Sequence, residues 1–498
     1  MLRILGSHKT LCDGLSRRDL LTLGTLGMGG FVSGNLLAPI EAAAAGAPPQ
    51  GAFGRAKSCI RIYLFGAASQ LETFDVKPQA PVEVRGELGA ISTSVPGLAI
   101  CEGLPHLAQV MDRSTVVRSM THPYPIHGSA YSLTATPTLD IPMQLDHQDP
   151  RHWPFVGSVV EYTDERRRAD LPPLPGNVAL PWPLSSRRDH PSRNGGPYGA
   201  FLGSAYDPIW TEFEGEATRQ ASYEFNGKVT TCFDPYGGVK PGCRFELSKA
   251  ATPPAEITLD RLDRRRSLLR QFNDARRWLG AAERVESYNR ARSTAFSILG
   301  SGRMRDALDV EREPVVVRDR YGMTLFGQAL LVARRLVEAG GRFVTDFWDE
   351  FASVNSGWDT HFQHYPRMKE QLLPGFDLAF SALITELEDR GLLDETLLVC
   401  TTEHGRTPRL SSANGGGRDH WSQAYCSLLA GGGTRAGHVV GRTDGIAGSV
   451  VERPVSPKDL LATMLYLLGV DPRATIYDRL GRPYQAAGDG EVVHELLA

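Results

Sequence analysis

The residues able to do chemistry gather in a few short stretches, and most of them are histidines. Thr121-His122-Pro123-Tyr124-Pro125-Ile126-His127 follows the apolar run STVVRSM. Trp358-Asp359-Thr360-His361-Phe362-Gln363-His364 follows RFVTDFW. Glu403-His404-Gly405-Arg406 follows TLLVCTT directly, and Asp419-His420-Trp421 precedes another apolar run. Imidazole and carboxylate together suit zinc, manganese or iron, and neutral histidine binds such ions at physiological pH. Asp359 with His361 or His364, plus His404 and His420, would supply a mixed nitrogen and oxygen shell. Glu403 would complete that shell or orient one of its members. A histidine taken singly reads as a hydrogen-bonded loop residue. Histidines in each of these strand-end loops together read as a metal or acid–base cluster.

The flanking runs define what must hold these residues. Cys59 to Gly66 and Ser114 to Met120 read as buried strands. From Asp319 onward, strand and helix alternate. Gly327 to Ala339 and Lys369 to Arg390 are helices stopped by glycines. Arg342 to Trp348, Thr396 to Thr402 and Gln423 to Ala430 are strands. Ser456 caps a helix that opens on Pro457 and runs through Leu460 to Leu468. This alternation predicts an α/β fold: a mostly parallel sheet with helices on both faces, and sites at the carboxyl ends of strands. A Gly/Pro-rich stretch from about 172 to 254 reads as a long insertion with short strands. Residues 259–310 read as a charged helical segment, with Arg264-Arg265-Arg266 on a solvated face.

Composition narrows the function classes. The 498 residues are 41% hydrophobic and 22% charged, ordinary for a globular chain. With 54 Lys+Arg against 57 Asp+Glu, there is no basic excess to neutralise phosphates, which argues against nucleic acid as a partner. Residues 1–45 read as an export signal: Ser16-Arg17-Arg18-Asp19-Leu20-Leu21, an apolar Gly-rich stretch, then the small-residue run Ala42 to Ala45. No other stretch approaches the ~18 apolar residues of a membrane helix, so no stable membrane insertion is expected once the signal is removed. There are seven cysteines and no CxxC pair, which argues against a cysteine zinc site. In an exported chain Cys232 and Cys243, with ten residues between them, could form a disulfide.

The order and wording of the segments resemble a known family. The relevant stretches are LFGAASQLETFDVKP (Leu64 to Pro78), RSMTHPYPIHGSAYSLTAT (Arg118 to Thr136), DRYGMTLFGQALLVARRLVEAG (Asp319 to Gly340), WDTH (Trp358 to His361), EHGRTPR (Glu403 to Arg409) and GRDHW (Gly417 to Trp421). Over residues 57–498 the chain resembles the bacterial sulfatase-like family called domain of unknown function 1501, of the alkaline-phosphatase superfamily. The resemblance implies one α/β domain with metals at strand ends. It implies that Glu403-His404-Gly405 is the late-strand metal element, His420 the downstream histidine ligand and Asp359 the middle acidic one. Two departures stand out. Phe65 occupies the place of a metal-binding Asp, and Pro125 that of the nucleophile, with Ser129 one helical turn further on. Asp75, His122 or His127 would have to compensate. The implied function is metal-dependent hydrolysis of sulfate or phosphate esters after export. In it, a divalent zinc or manganese ion sits on Asp359, His404 and His420, His122 or His127 acts as general acid or base, and Arg406 pairs with the anionic group. The alternative is a non-catalytic binding protein for sulfated or anionic glycans on a degenerate version of the fold.

Overall fold

The computed structural model describes residues 51–124, 128–135, 140–167, 174–191, 193–225, 228–247, 302–352, 357–412 and 416–498. The chain divides into two units, Met1–Ala47 and Pro48–Ala498, and the second holds every element described below. The expected signal, Pro125, His127 and the helical segment as far as residue 301 lie outside the described residues. Gly302–Leu308, the end of that segment, is helical.

The strand signals in the sequence converge on one sheet. β1 (Ser58–Leu64) alternates strictly: Ile60, Ile62 and Leu64 enter one apolar layer, Cys59 and Tyr63 the other. β2 is Ser114–Met120, β3 Asn177–Leu180, β4 Ile209–Glu214, β5 Ala217–Phe225, β6 Lys228–Val239 and β7 Arg244–Leu247. β8 is Phe343–Trp348, β9 Thr396–Thr401, β10 Tyr425–Ala430 and β11 His438–Val440. Nine of these form the central sheet in the order β11-β2-β10-β9-β1-β8-β3-β4-β7. The pairs β11/β2, β9/β1, β1/β8, β8/β3 and β3/β4 are parallel. Those of β10 with both neighbours, and of β4 with β7, are antiparallel.

Helices cover both faces, as buried parallel strands require. α1 is Ser129–Thr134, α2 Val156–Arg167, α3 Leu325–Glu338, α4 Leu373–Asp389 and α5 Pro457–Leu467. α3 and α4 pack with Ile60, Ile62 and Val344 in one layer, while α2 and α5 pack with Tyr63, Phe347 and Val399 in the other. The caps follow the sequence. Thr324 accepts the Gly327 N–H at the start of α3, and Ser456 and Asp459 form a full capping box on α5.

The Gly/Pro-rich stretch does more than carry short strands. β3, β4 and β7 extend the central sheet, and β5 pairs with β6 as a long hairpin outside it. The disulfide allowed for in the sequence is absent: Cys232 and Cys243 are both free thiols. Cys232 faces Ala221 across the hairpin, whereas Cys243 is buried beside the Arg318 guanidinium.

Sheet direction explains why the histidine loops meet. β1, β8 and β9 run parallel, so Gly66, Asp359 and Glu403-His404 all follow carboxyl ends on one edge. β10 runs the opposite way, so the residues before it, including His420, reach that edge too. β2 is antiparallel to β10 in turn, which brings His122 to the same side.

Candidate metal centre

Asp359, His361 and His420 converge. Their nearest ligand atoms form a triangle: Asp359 Oδ1 to His361 Nε2 is 3.1 Å, Asp359 Oδ1 to His420 Nε2 is 3.6 Å, and the two Nε2 atoms are 3.0 Å apart. Bonds of ~2.0–2.1 Å to a tetrahedral ion put neighbouring ligand atoms ~3.3–3.4 Å apart. The triangle brackets that value. The tautomer of His361 agrees with it. Its Nδ1–H donates to Asp419 Oδ1 at 2.8 Å, which leaves the Nε2 lone pair facing the Asp359 carboxylate and His420. A carboxylate behind a ligating histidine is the usual arrangement for fixing the ring and raising its basicity. All three residues are half-buried, so the centre stays open to solvent. The residues present therefore fit a divalent ion with mixed nitrogen and oxygen ligands.

Two glycines let the loops approach. Gly66 has φ +104°, and a Cβ there would stand 2.3 Å from the Asp359 main-chain nitrogen. A Cβ on Gly417 would stand 1.7 Å from the His361 carbonyl oxygen. The strand-end turn after β1 thus packs directly on the Asp359 loop, and the GRDHW turn on the His361 loop.

The other residues singled out in the sequence take different places. His404 lies beside the triangle, its ring centroid 4.6 Å from that of His420, with Nδ1 donating to its neighbour's carbonyl, Gly405 O, at 2.8 Å. The Glu403 carboxylate accepts the Gly66 N–H at 2.7 Å and the Thr402 hydroxyl at 3.2 Å, so it ties β9 to the turn after β1. His364 turns away from the ligand set. It is fully buried, with Nδ1 on Thr360 Oγ1 at 2.8 Å and Nε2 3.2 Å from Glu72, and burial lowers its pKa despite that carboxylate.

Arg406 does not face an incoming anion. Its fully buried guanidinium donates to Ala67 O, Gly66 O and Arg418 O, and to Asp359 Oδ1, so it holds that ligand in place. The general acid–base role expected of His122 meets a similar obstacle. Nδ1 accepts the Tyr124 N–H at 3.2 Å, so Nε2 carries the proton and donates to Glu403 O at 2.7 Å. Both nitrogens are committed to main chain, and burial lowers the pKa, which keeps the ring neutral. Asp75 is held by Lys77 at 2.9 Å and by the Thr443 hydroxyl, and does not join the centre. Ser129 is buried at the start of α1, its hydroxyl on Gly195 O at 3.3 Å. Phe65 fills apolar core.

Sequence reasoning missed the network beneath the site. Glu72 is buried, yet its carboxyl is held well below the usual carboxylate range. Burial opposes this, and Arg418 and His364 overcome it. Arg418 donates to Glu72 through Nε at 3.1 Å and Nη2 at 2.6 Å, and to Thr407 O, Pro408 O and Val84 O. Tyr365 donates to the same carboxylate. One buried acid thus fixes the GRDHW turn and the start of the His364 helix together. Glu72 and Arg418 both stand inside family-like stretches, but nothing in either stretch pairs them.

A family model described as a protein of unknown function, DUF1501, matches residues 56–497. The chain belongs to the DUF1501 family. No curated protein matches it in sequence. Among solved structures, this DUF1501 chain is similar to the PsFucS1 sulfatase from Pseudoalteromonas sp., with 12% identity and TM-score 0.37 over 89% of this chain and 72% of that one. The phosphonate monoester hydrolase SpPMH from Silicibacter pomeroyi gives 12% identity and TM-score 0.34, over 89% and 76%. The lipoteichoic acid synthase LtaP from Listeria monocytogenes gives 10% and 0.31, over 84% and 74%. Likenesses this remote carry no activity across.

Proposed function

We propose that this chain is an exported, divalent-metal-dependent hydrolase of sulfate or phosphate esters, with zinc or manganese held by Asp359, His361 and His420. One observation carries the reading: the three ligand atoms converge at ligand spacing, with Asp419 behind His361. Such an ion supplies Lewis acidity toward an anionic ester oxygen. The chain's own residues do the rest. Asp419 keeps the His361 Nε2 lone pair forward, Arg406 holds Asp359, and the Glu72–Arg418 pair sets the two loops against each other. Ester specificity rests on the family resemblance of the motifs, and export on the Ser16-Arg17-Arg18 pattern. Among the described residues no helix is long and apolar enough to cross a membrane.

The test is metal content followed by turnover. Purified protein given zinc or manganese should hold about one tightly bound ion, and Asp359→Ala or His420→Ala should lose it. Aryl sulfate and phosphate esters should then be hydrolysed by the loaded wild type. Absence of bound metal would overturn the proposal. Bound metal with no turnover of any ester would move the assignment to the second reading, a binding protein for sulfated or anionic glycans. The commitment of both His122 nitrogens and of the Arg406 guanidinium favours that second reading. Replacing Arg17 and Arg18 with lysine should retain the precursor inside the cell; continued processing would refute the twin-arginine route.

A further inference from the structure

One cavity stands apart from the metal centre. It encloses about 430 Å³, within the range that holds a small molecule, and its lining includes none of Asp359, His361 and His420. Three segments wall it, and each is fixed from within. In 146–152, Asp149 is paired with Arg151 at 2.7 Å, and His152 Nε2 donates to Met143 O and Asp146 O, both at 2.9 Å. In 198–207, Asp207 Oδ1 accepts the Gly199 N–H at 2.7 Å. The third segment is the turn between Thr475–Tyr477 and Pro483–Gln485, a small antiparallel pair. There Asp478 accepts the Leu480 and Arg482 N–H groups at 2.8 Å and pairs with the Arg482 guanidinium at 2.6 Å. Walls held this way are in place before any ligand arrives.

The lining combines an aromatic wall with a few polar groups. Phe201 supplies the wall, its ring stacked on Tyr484 at 4.5 Å and braced by Trp153 at 6.0 Å. With Asp149 and Asp478 paired, the lining keeps one charge of each sign without an ion-pair partner among the described residues: the Asp207 carboxylate and the Arg479 guanidinium. Burial pushes the Asp207 carboxyl up to about 6, so at neutral pH it is mostly ionised and accepts hydrogen bonds. Arg479 only donates. Burial, then the Arg193 charge, lowers the His147 pKa, so this ring is neutral and offers one donor and one acceptor. Leu480, also in the lining, is 79% exposed, so the cavity opens to solvent beside it.

We propose that this cavity is a binding site for a neutral pyranose, the ring of a hexose. The apolar C–H face of such a ring packs on Phe201. Its hydroxyls each donate and accept, which matches Asp207, His147 and Arg479 on one lining. An anionic ligand would meet the Asp207 charge and a cationic one the Arg479 charge. A small zwitterion would satisfy both charges but offers Phe201 no ring face. The site does not rest on ester hydrolysis at the metal centre.

Saturation-transfer NMR on the full chain is the test, with the methyl glycosides of glucose, galactose and mannose as probes. At least one should take up saturation and raise the melting temperature as its concentration rises. Repeating the measurement in EDTA should change nothing, which separates the cavity from the metal centre. Asp207→Asn keeps an oxygen for the Gly199 N–H, and Arg479→Ala removes a side chain with no ion pair to lose. Both variants should melt no lower than the wild type yet bind that glycoside roughly tenfold more weakly. A crystal soaked in it should show the sugar ring against Phe201. The free hexose names the source: an isolated sugar if it binds more tightly than the glycoside, the end of a glycan chain if it does not. No transfer to any of the three glycosides, loss of binding in EDTA, wild-type affinity in both variants, or binding of glycine in preference to all three would overturn the site.

Discussion

Replacing Asp346 with asparagine changes one atom in the middle of β8 and should change how stability depends on pH. The side chain is 0% exposed, and neither carboxyl oxygen has a hydrogen-bond partner among the described residues. Its strand neighbours Val344 and Trp348 pack in the apolar layer beneath α3 and α4. Burial alone raises its pKa well above the ordinary 3.8, so the folded chain keeps a proton that the unfolded chain has lost. Its contribution to stability is therefore complete below pH ~4 and declines as pH rises toward the folded pKa. The slope approaches about 1.4 kcal/mol per pH unit for one proton wherever the folded carboxyl is still protonated and the unfolded one ionised, so the wild type loses stability through this residue as pH rises above about 4. Asparagine cannot ionise and escapes that loss. Urea unfolding of both proteins at pH 5, 6 and 7, followed by tryptophan fluorescence, isolates the effect, because all other titrating groups cancel in the difference. The Asn variant should gain on the wild type at each step up in pH, with about 1.4 kcal/mol per pH unit as the upper limit. A difference that stays constant with pH would show that the Asp346 carboxyl is already ionised in the folded chain at pH 5, and would refute the reasoning.

Three further outcomes follow from the centre and its support. Asp419→Ala should lower metal affinity roughly tenfold to a hundredfold, measured by competition with a chromophoric chelator, while leaving the melting temperature of the metal-free protein unchanged. Gly417→Ala, whose Cβ would meet the His361 carbonyl at 1.7 Å, should lower both metal occupancy and melting temperature, whereas Gly445→Ala, with open space around it, should alter neither. Glu72→Gln should destabilise the chain by about 3–5 kcal/mol in denaturant titrations, because it leaves the buried Arg418 guanidinium without its counter-charge.

The fold was legible wherever one period of apolar residues ran unbroken. STVVRSM is β2 to the residue, and the cap at Ser456 opens α5 because Ser-Pro-x-Asp satisfies the first-turn donors locally. The Gly/Pro-rich stretch resisted the same reading. β3 is only four residues long, and β4 and the edge strand β7 have their pairing set by tertiary neighbours. RFVTDFW announced a strand, but no local signal separates an acid that faces a partner from Asp346, which faces apolar side chains.

The choice of ligands shows where local reading stops. His361 and His364 stand three residues apart in one loop, and by residue type either would serve. The backbone separates them: Gln363 takes φ +49°, a left-handed turn, and His364 then opens a helix. That turn sends His364 inward to Glu72 and leaves His361 on the surface beside Asp359 and His420. Glu72 in turn is fixed by Arg418, 346 residues away in sequence. The deciding pair is long-range, so the ligand set becomes readable only once the turn after β1 and the GRDHW turn are known to touch. Gly66 and Gly417 are what that contact leaves in the sequence, two positions where a single methyl group would keep the loops apart.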